Sequence, residues 1–251
     1  MAVAISLAGG TLPAQAITYG QLDGDRHPSV GSLVVSNGHG GWFQSCTGSL
    51  IAPTVVLTAA HCVQGEDPNQ FFVMFDPVIS SSSTVIHGVG HYDSRAYTSG
   101  ESRPYDIAVV VLDHAVDLPL VQLPTQGLLD RLKAQHALKH QAFTAVGYGT
   151  RRNSQQGGYQ GILDNTKRRF VEQSYESLQE QWVQFSMNPA TGNGGTCYGD
   201  SGGPHFLGGV DSNLEVALTV TGDAVCKATD KDYRIDTPAA RSFLRDYVDL
   251  P

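Results

Sequence analysis

Residues 199–204 read Gly-Asp-Ser-Gly-Gly-Pro and place Ser201 in a stretch that is too small and too turn-prone to be ordinary core. A turn of this kind exposes the serine hydroxyl, and the neighbouring glycines let backbone N–H groups come close to a reacting carbonyl. A Gly-rich β-turn is the plain alternative, and it is common wherever a single Gly-Ser-Gly occurs. Six specified residues in a row favour the other interpretation, in which Ser201 is a nucleophile that needs a base.

A candidate base follows an apolar β-type run that reads Leu-Thr-Ala-Ala-His-Cys over residues 57–62. Imidazole titrates near neutrality, so it can take a proton from a serine and return it to a leaving group. Cys62 would hold His61 in place. The other eight histidines lie in polar or mixed surroundings and are by default surface or packing residues: His27, His39, His87, His91, His114, His136, His140 and His205.

The third candidate is Asp106, which stands at the start of a strongly apolar strand, Ile107–Leu112. Taken alone, it is best interpreted as an aspartate that caps a turn before the strand. Together with His61 and Ser201 it becomes the carboxylate that orients the imidazole and stabilises its cation.

These three motifs resemble those of the trypsin/chymotrypsin family of serine proteases, and the chain order His61, Asp106, Ser201 is that family's order. The resemblance runs from about Ile17 to the terminal helix. It implies an all-β, chymotrypsin-like fold of two six-stranded antiparallel β-barrels with a C-terminal α-helix and an active cleft between the barrels. It also implies an oxyanion hole built from the backbone N–H groups of Gly199 and Ser201.

Short β-type runs recur along the chain between Gly, Pro, Asn and Ser clusters, which is typical of sandwiches and barrels. The runs are Val30–Val35, Thr54–Thr58, Phe71–Phe75, Ile107–Leu112, Ala142–Val146, Trp182–Ser186 and Val216–Val220. Thr237 and Pro238 offer an N-cap and a first-turn proline for a helix over residues 239–248. Residues 128–139 are either a second helix or a connecting segment.

We expect two domains after the N-terminal segment. The first barrel, over residues 17–125, would contain His61 and Asp106. The second, over residues 126–251, would contain Ser201 and the terminal helix, and would open on residues 145–149, which resemble the family's Gly-Trp-Gly turn.

Charge limits the partners of the chain. A formal net charge of -8 argues against a nucleic-acid partner or an anionic membrane surface, because Lys and Arg are too few to build a broad basic face. The one cationic cluster, Lys167-Arg168-Arg169, is predicted to be a solvated strand edge. No apolar run reaches the 18 or more residues that a membrane-spanning helix needs.

The first 16 residues combine a short apolar stretch with an Ala14-Gln15-Ala16 ending, which is the small-x-small pattern of a signal peptidase site. They predict export and an extracellular protein. No Lys or Arg precedes the apolar stretch, so it is alternatively the tail of a longer signal or a disordered N-terminus.

Four cysteines in an exported chain suggest two disulfides, with three possible pairings. The spacing suggests Cys46 with Cys62 and Cys197 with Cys226. A zinc site is disfavoured because no Cys-x-x-Cys or Cys-x-x-His spacing is present. We predict no metal and no cofactor, and the acidic residues show no calcium-loop spacing.

The resemblance also implies an activation pair. In the family, a new Ile or Val N-terminus inserts and pairs its α-amine with the aspartate before the nucleophile, here Asp200. Residues 17–20 resemble that N-terminal segment and follow the proposed cleavage point after Ala16 directly. We therefore hypothesise that signal peptidase itself generates the activating amine of Ile17. Alternatively, Ile17 begins an ordinary strand and Asp200 has another donor.

Specificity follows only partly from the resemblance. Trypsin-like members carry an acidic residue six positions before the nucleophile, where this chain has Gly195, followed by Thr196. Val220, Thr221 and Gly222 resemble the pocket wall that pairs with substrate backbone, although the family's serine and aromatic residue are absent there. Lys231 is either a surface lysine or the cation of a pocket for acidic side chains.

We thus predict a secreted serine endopeptidase that acts on polypeptides through an acyl-enzyme. It would act as a monomer, and protein protease inhibitors would be further partners. Two alternatives remain: an inactive homologue that serves as a binding module, and an esterase that uses the same triad.

Overall fold

The computed structural model describes residues 17–36, 42–96, 104–152, 161–162 and 165–251. The predicted signal segment, residues 1–16, lies outside the described residues. The strands, in chain order, are β1 (Gln21–Leu22), β2 (Val30–Ser36), β3 (Trp42–Ala52), β4 (Val55–Thr58), β5 (Phe71–Met74), β6 (Ile86–Tyr92), β7 (Ala108–Leu112), β8 (Phe143–Gly147), β9 (Arg151–Arg152), β10 (Gly161–Ile162), β11 (Arg169–Leu178), β12 (Trp182–Ser186), β13 (Pro204–Leu207), β14 (Glu215–Gly222) and β15 (Thr229–Arg234). The α-helices are α1 (Leu128–Ala134) and α2 (Pro238–Leu244).

The first barrel contains β2 to β7 and closes in the order β2-β3-β4-β7-β6-β5, with β5 paired back to β2. Its strands are rich in β-branched residues, which pack well on a pleated surface. In the antiparallel pair of β4 and β7, Thr58 stands opposite Ala108. The end of β4 and the start of β7 therefore meet at one edge of the barrel.

The second barrel contains six strands in the order β8-β13-β14-β15-β12-β11, closed by the pairing of β11 with β8. The short strand β1 adds to the outside of β11. Two closed six-stranded antiparallel barrels with few helices confirm the predicted chymotrypsin-like fold. Among the described residues, no helix is long and apolar enough to cross a membrane.

The two barrels share a continuous apolar core that includes Val30 and Val56 from the first and Phe206 and Leu218 from the second. A polar contact also crosses the interface, where the Ser49 hydroxyl donates to Glu215. Burial raises the pKa of that glutamate to about 8, although the bond from Ser49 opposes the shift.

The C-terminal helix forms as predicted. The Thr237 side chain accepts a hydrogen bond from the Ala240 amide at 3.2 Å, and Pro238 occupies the first turn. The helix α2 ends at Leu244, four residues before the apolar pattern does. Residues 128–139, the second segment with a helical pattern, contain α1 and then the start of a separate 3₁₀ turn over Leu138–His140.

The helix α2 belongs to the second half of the chain but contacts the first barrel. The Arg95 guanidinium donates to the Ala239 carbonyl at 3.1 Å, and the rings of His91 and Tyr247 lie 5.8 Å apart. At the other end of the chain, β1 lies on the second barrel. Strand β1 and helix α2 thus each contact the barrel that the other half of the chain forms.

The prediction of a solvated cationic edge at Lys167-Arg168-Arg169 is wrong for Arg168 and Arg169, which are 1% and 3% exposed. The Nε of Arg168 donates to the Asp23 carboxylate at 2.7 Å, and its other nitrogens donate to the carbonyls of Phe75 at 2.8 Å and Gly24 at 2.8 Å. The charge is buried because a carboxylate 145 residues away in sequence and several carbonyls compensate it.

Candidate active site

His61 and Asp106 meet at the barrel edge where β4 ends and β7 begins. His61 lies in a 3₁₀ turn, Ala60–Cys62, three residues after Thr58. One carboxylate oxygen of Asp106 accepts from the His61 backbone amide at 2.9 Å, and the other lies 2.8 Å from His61 Nδ1. An acceptor on Nδ1 keeps the proton there and leaves the lone pair of the ring on Nε2.

A disulfide braces the histidine turn. Cys46 in β3 is bonded to Cys62, the residue after His61. The second disulfide joins Cys197 to Cys226. Both pairs that the spacing suggests are formed.

The turn that contains Ser201 lies between the two barrels. The Ser201 carbonyl accepts from the Thr47 amide in β3 at 2.9 Å, and the Gly202 amide donates to the Thr219 carbonyl in β14 at 2.8 Å. Gly202 has a φ of +78°, and a Cβ at this position would lie 2.1 Å from the Thr58 hydroxyl oxygen. Only glycine fits there, which explains one of the glycines in the motif.

The predicted oxyanion amides lie on this turn. Gly199 has a φ of +98°, and its carbonyl accepts from the side chains of Gln44 at 2.9 Å and Thr47 at 3.0 Å. Within the described part of the chain, the amides of Gly199 and Ser201 donate to no protein acceptor. Both N–H groups are therefore available to a ligand.

Asp200, between these two amides, is fully buried. Its carboxylate accepts from the amides of Gly149 at 2.7 Å and Cys197 at 2.9 Å. Burial raises its pKa to about 7, and the two amide bonds oppose the rise. A Cβ on Gly147 or Gly149 would lie 2.2 Å or 2.4 Å from atoms of this carboxylate, so the turn at residues 147–149 fits closely around it.

The predicted activation residue Ile17 is fully buried and packs with Ala145 and Val171. The next residue, Thr18, exchanges backbone hydrogen bonds with Gly195 at 2.8 and 3.1 Å. In the described residues, the hydrogen bonds of the Asp200 carboxylate come from Gly149 and Cys197, and none comes from Ile17.

A cleft runs between the barrels, and both His61 and Ser201 line it. Of the predicted pocket residues, Thr196, Val220, Thr221 and Gly222 line the same cleft. Gly195 is not among its lining residues, because it lies behind the wall, where a Cβ would meet the Met187 side chain at 2.0 Å.

Lys231 is not among the residues that line the cleft. Its ammonium lies 4.8 Å from the centre of the Trp182 ring. The interpretation of Lys231 as a cation inside the pocket therefore has no support.

The sequence interpretation missed several residues of the cleft, among them Phe43, Tyr198 and Asp223. The amides of residues 227, 228 and 229 all donate to the Asp223 carboxylate, at 3.1, 2.7 and 2.9 Å. Partial burial works to raise the pKa of Asp223, but these bonds outweigh it and lower the pKa. Proximity to Cys226 and to the predicted wall was the signal that could have found it.

Comparison with known proteins agrees with the fold. The family model described as Trypsin matches residues 21–244. "Trypsin" from Saccharopolyspora erythraea is 28% identical over 211 residues, which cover 80% of this chain and 84% of that protein. "Chymotrypsin-like elastase family member 1" from Macaca fascicularis is 31% identical over 194 residues, covering 70% and 67% of the two chains. "Trypsin zeta" from Drosophila melanogaster is 26% identical over 182 residues, covering 63% and 59%.

Proposed function

The chain belongs to the trypsin family of serine proteases, and from that premise we propose that it is a secreted endopeptidase that cleaves peptide bonds through an acyl-enzyme on Ser201. The observation that carries the proposal is the pairing of His61 with Asp106 at the wall of the cleft that Ser201 also lines. The two disulfides are consistent with an oxidising, extracellular location.

In the first half of the reaction, Ser201 Oγ attacks the carbonyl carbon while His61 Nε2 takes its proton. The carbonyl oxygen becomes an oxyanion, and Asp106 stabilises the imidazolium that forms. His61 then gives the proton to the leaving amine as the C–N bond breaks. A water molecule, activated by the same histidine, hydrolyses the ester on Ser201 and restores the enzyme.

The amides of Gly199 and Ser201 stabilise the oxyanion in both halves of the reaction. Their lack of a protein acceptor within the described residues supports this role. The hydrogen bonds from Gln44 and Thr47 to the Gly199 carbonyl fix the conformation of the turn before substrate binds. Less reorganisation is then needed in the transition state.

A fluorophosphonate probe tests the nucleophile. Incubation with the secreted protein, followed by mass spectrometry, is expected to find label on the peptide that contains Ser201 and on no other serine, because the proposal gives this hydroxyl a base and oxyanion donors. The matched control is Ser201→Ala, which is expected to take up no label.

Folded protein that takes up no label would favour the inactive binding module instead. Inactive homologues usually lack a triad residue, whereas this chain has all three candidates. A labelled protein that cleaves small esters but no peptide would favour the esterase.

We extend the proposal to activation: signal peptidase cleaves after Ala16, and the new ammonium of Ile17 pairs with Asp200. Support comes from the burial of both residues and from the buried carboxylate, whose hydrogen-bond donors in the described chain are neutral amides. A cation there would offset its desolvation.

N-terminal sequencing of the secreted protein is therefore expected to begin at Ile17. Protein with one extra residue before Ile17 is expected to react with the fluorophosphonate far more slowly, because its amine cannot occupy the same place. A mature protein that begins elsewhere, or equal labelling of both forms, would contradict the hypothesis.

A further inference from the structure

A group of buried polar side chains lies inside the second barrel, directly behind the cleft wall. Asp230 and Asp232 come from β15, His205 from β13 and Gln173 from β11, and all four are at most 3% exposed. The fifth member, Thr196, also lines the cleft. The catalytic steps use none of them, yet burying such groups carries a cost that ordinary packing does not explain.

Asp230 is the member that reaches the wall. Its carboxylate accepts from the Thr196 hydroxyl at 2.6 Å, from the Thr196 amide at 3.1 Å and from the Gln173 amide group at 2.7 Å. In the pairing of β14 with β15 it stands opposite Gly222, which lines the cleft. One threonine side chain thus separates the carboxylate from the substrate site.

The histidine of the group lies on the other side of Gln173. Because the amide nitrogen of Gln173 donates to Asp230, its oxygen faces His205 Nδ1 at 2.8 Å as an acceptor. The other ring nitrogen of His205 lies 3.0 Å from the Thr219 hydroxyl oxygen and 3.2 Å from an Asp232 oxygen. His205 is therefore next to Asp232, while the hydrogen-bond partners of Asp230 in the described chain are the neutral groups of Thr196 and Gln173.

The charge of Asp230 affects the pKa of Asp232. Burial raises the pKa of Asp232 to about 7, and the charge of Asp230 adds to that rise. Charges act strongly in such surroundings because little water screens them.

Resting on the proposed endopeptidase function, we propose that Asp230 is the residue that sets specificity, and that it makes the pocket select substrates with a Lys or Arg side chain before the scissile bond. Thr196 transmits the charge. Its only hydroxyl proton is donated to Asp230, so its oxygen offers lone pairs to the cleft. An ammonium or guanidinium group that donates to this oxygen completes a polarised chain of hydrogen bonds to the carboxylate.

This arrangement replaces the acidic residue that trypsin-like members carry at the position of Gly195. A side chain at Gly195 would collide with Met187, so the charge comes from a different strand. The rival is a pocket for apolar side chains, with Met187 behind its floor. A second rival source of cation selectivity is Asp223, which lines the cleft but whose carboxylate already accepts three amides.

The test uses peptides that differ only in the residue before the scissile bond: Arg, Lys, Leu, Phe or Glu. The wild-type protein is expected to prefer Arg and Lys. Asp230→Asn is expected to lower the Arg-to-Leu ratio of kcat/KM about 10- to 100-fold, the range for loss of a charge-assisted hydrogen bond. A merely structural role would lower both values together.

Asp232→Asn is the matched control, because it removes the other buried carboxylate of β15 and leaves both hydrogen bonds of Thr196 to Asp230 in place; the ratio is expected to change less than about threefold. If Asp230→Asn does not fold, Thr196→Val removes the connecting hydroxyl and is expected to lower the ratio as well. The assignment is overturned if the wild type prefers Leu, Phe or Glu, or if Asp223→Asn rather than Asp230→Asn abolishes the preference.

Calorimetric titration with benzamidine, a small aromatic amidine without a scissile bond, separates this inference from the proposed function. Binding to wild type and weak binding to Asp230→Asn support the pocket assignment even if Ser201 takes up no label, in which case the endopeptidase function fails alone. Label on Ser201 together with equal amidine affinity for both proteins overturns the assignment of Asp230 and leaves the function standing.

Discussion

Replacing Asp106 by Asn is expected to lower kcat about 10⁴-fold, a loss typical of this triad within the family. The carboxylate accepts from both the amide and the ring of His61. An asparagine can present its NH₂ group to Nδ1, and the ring proton then moves to Nε2, where the lone pair is needed. The histidine keeps its position but loses its ability to take the proton of Ser201.

The measurement is kcat on a peptide substrate, with the rate of fluorophosphonate labelling as a second readout. The chain offers a matched control in Asp113→Asn, because His87 Nδ1 and Asp113 lie 2.7 Å apart in the same barrel, outside the cleft lining. That variant is expected to keep wild-type kcat. A kcat of Asp106→Asn within tenfold of wild type would show that Asp106 does not orient the base.

Replacing Gly149 by Ala is expected to lower the rate of labelling at Ser201 about 100-fold, the cost of roughly 1 Å of misplacement at a reacting group. The new Cβ would lie 2.4 Å from the Asp200 carboxyl and 2.7 Å from the Asp200 backbone nitrogen. A backbone atom cannot rotate away, so the turn between the oxyanion amides must shift. The hydrogen bond from the Gly149 amide to Asp200 would be strained as well.

The measurements are the labelling rate and the thermal midpoint, which is also expected to fall. Gly192→Ala is the control: its φ of +81° is unsuited to alanine, a strain that Gly149 does not have, but no atom lies within 4 Å of the added Cβ. It is expected to destabilise modestly and to leave labelling unchanged. Equal effects of the two substitutions would show that loss of glycine, and not the contact with Asp200, is responsible.

Local patterns predict some strands of this fold well. The run Trp182–Ser186 matches β12 at both ends, and the branched run before Leu112 matches β7 to one residue. Local pattern does not reveal β11, because this strand begins beside a cationic cluster and alternates with polar residues. Arg168, the residue before this strand, is buried in a pair with Asp23, and no window of local sequence contains both residues.

The same distinction holds at the cleft. His61, Asp106 and Ser201 each stand in a short motif, so their types and order could be interpreted from the amino-acid sequence. The carboxylate of Asp230 had no such motif. Its place behind Thr196 follows from the register of β15 against β14, which is a property of the closed barrel and not of any contiguous stretch.

The contacts of β1 and α2 with the opposite barrels affect how the protein folds during synthesis. A ribosome releases all six strands of the first barrel long before it releases α2, yet α2 supplies the carbonyl that Arg95 binds and precedes the ring that meets His91. The nascent first barrel therefore stays incompletely covered until residues 239–247 are synthesised. Because β1 rests on the second barrel, this strand is also without its partner during this time. Both barrels thus have these neighbours only after α2 and the residues that follow it have left the ribosome.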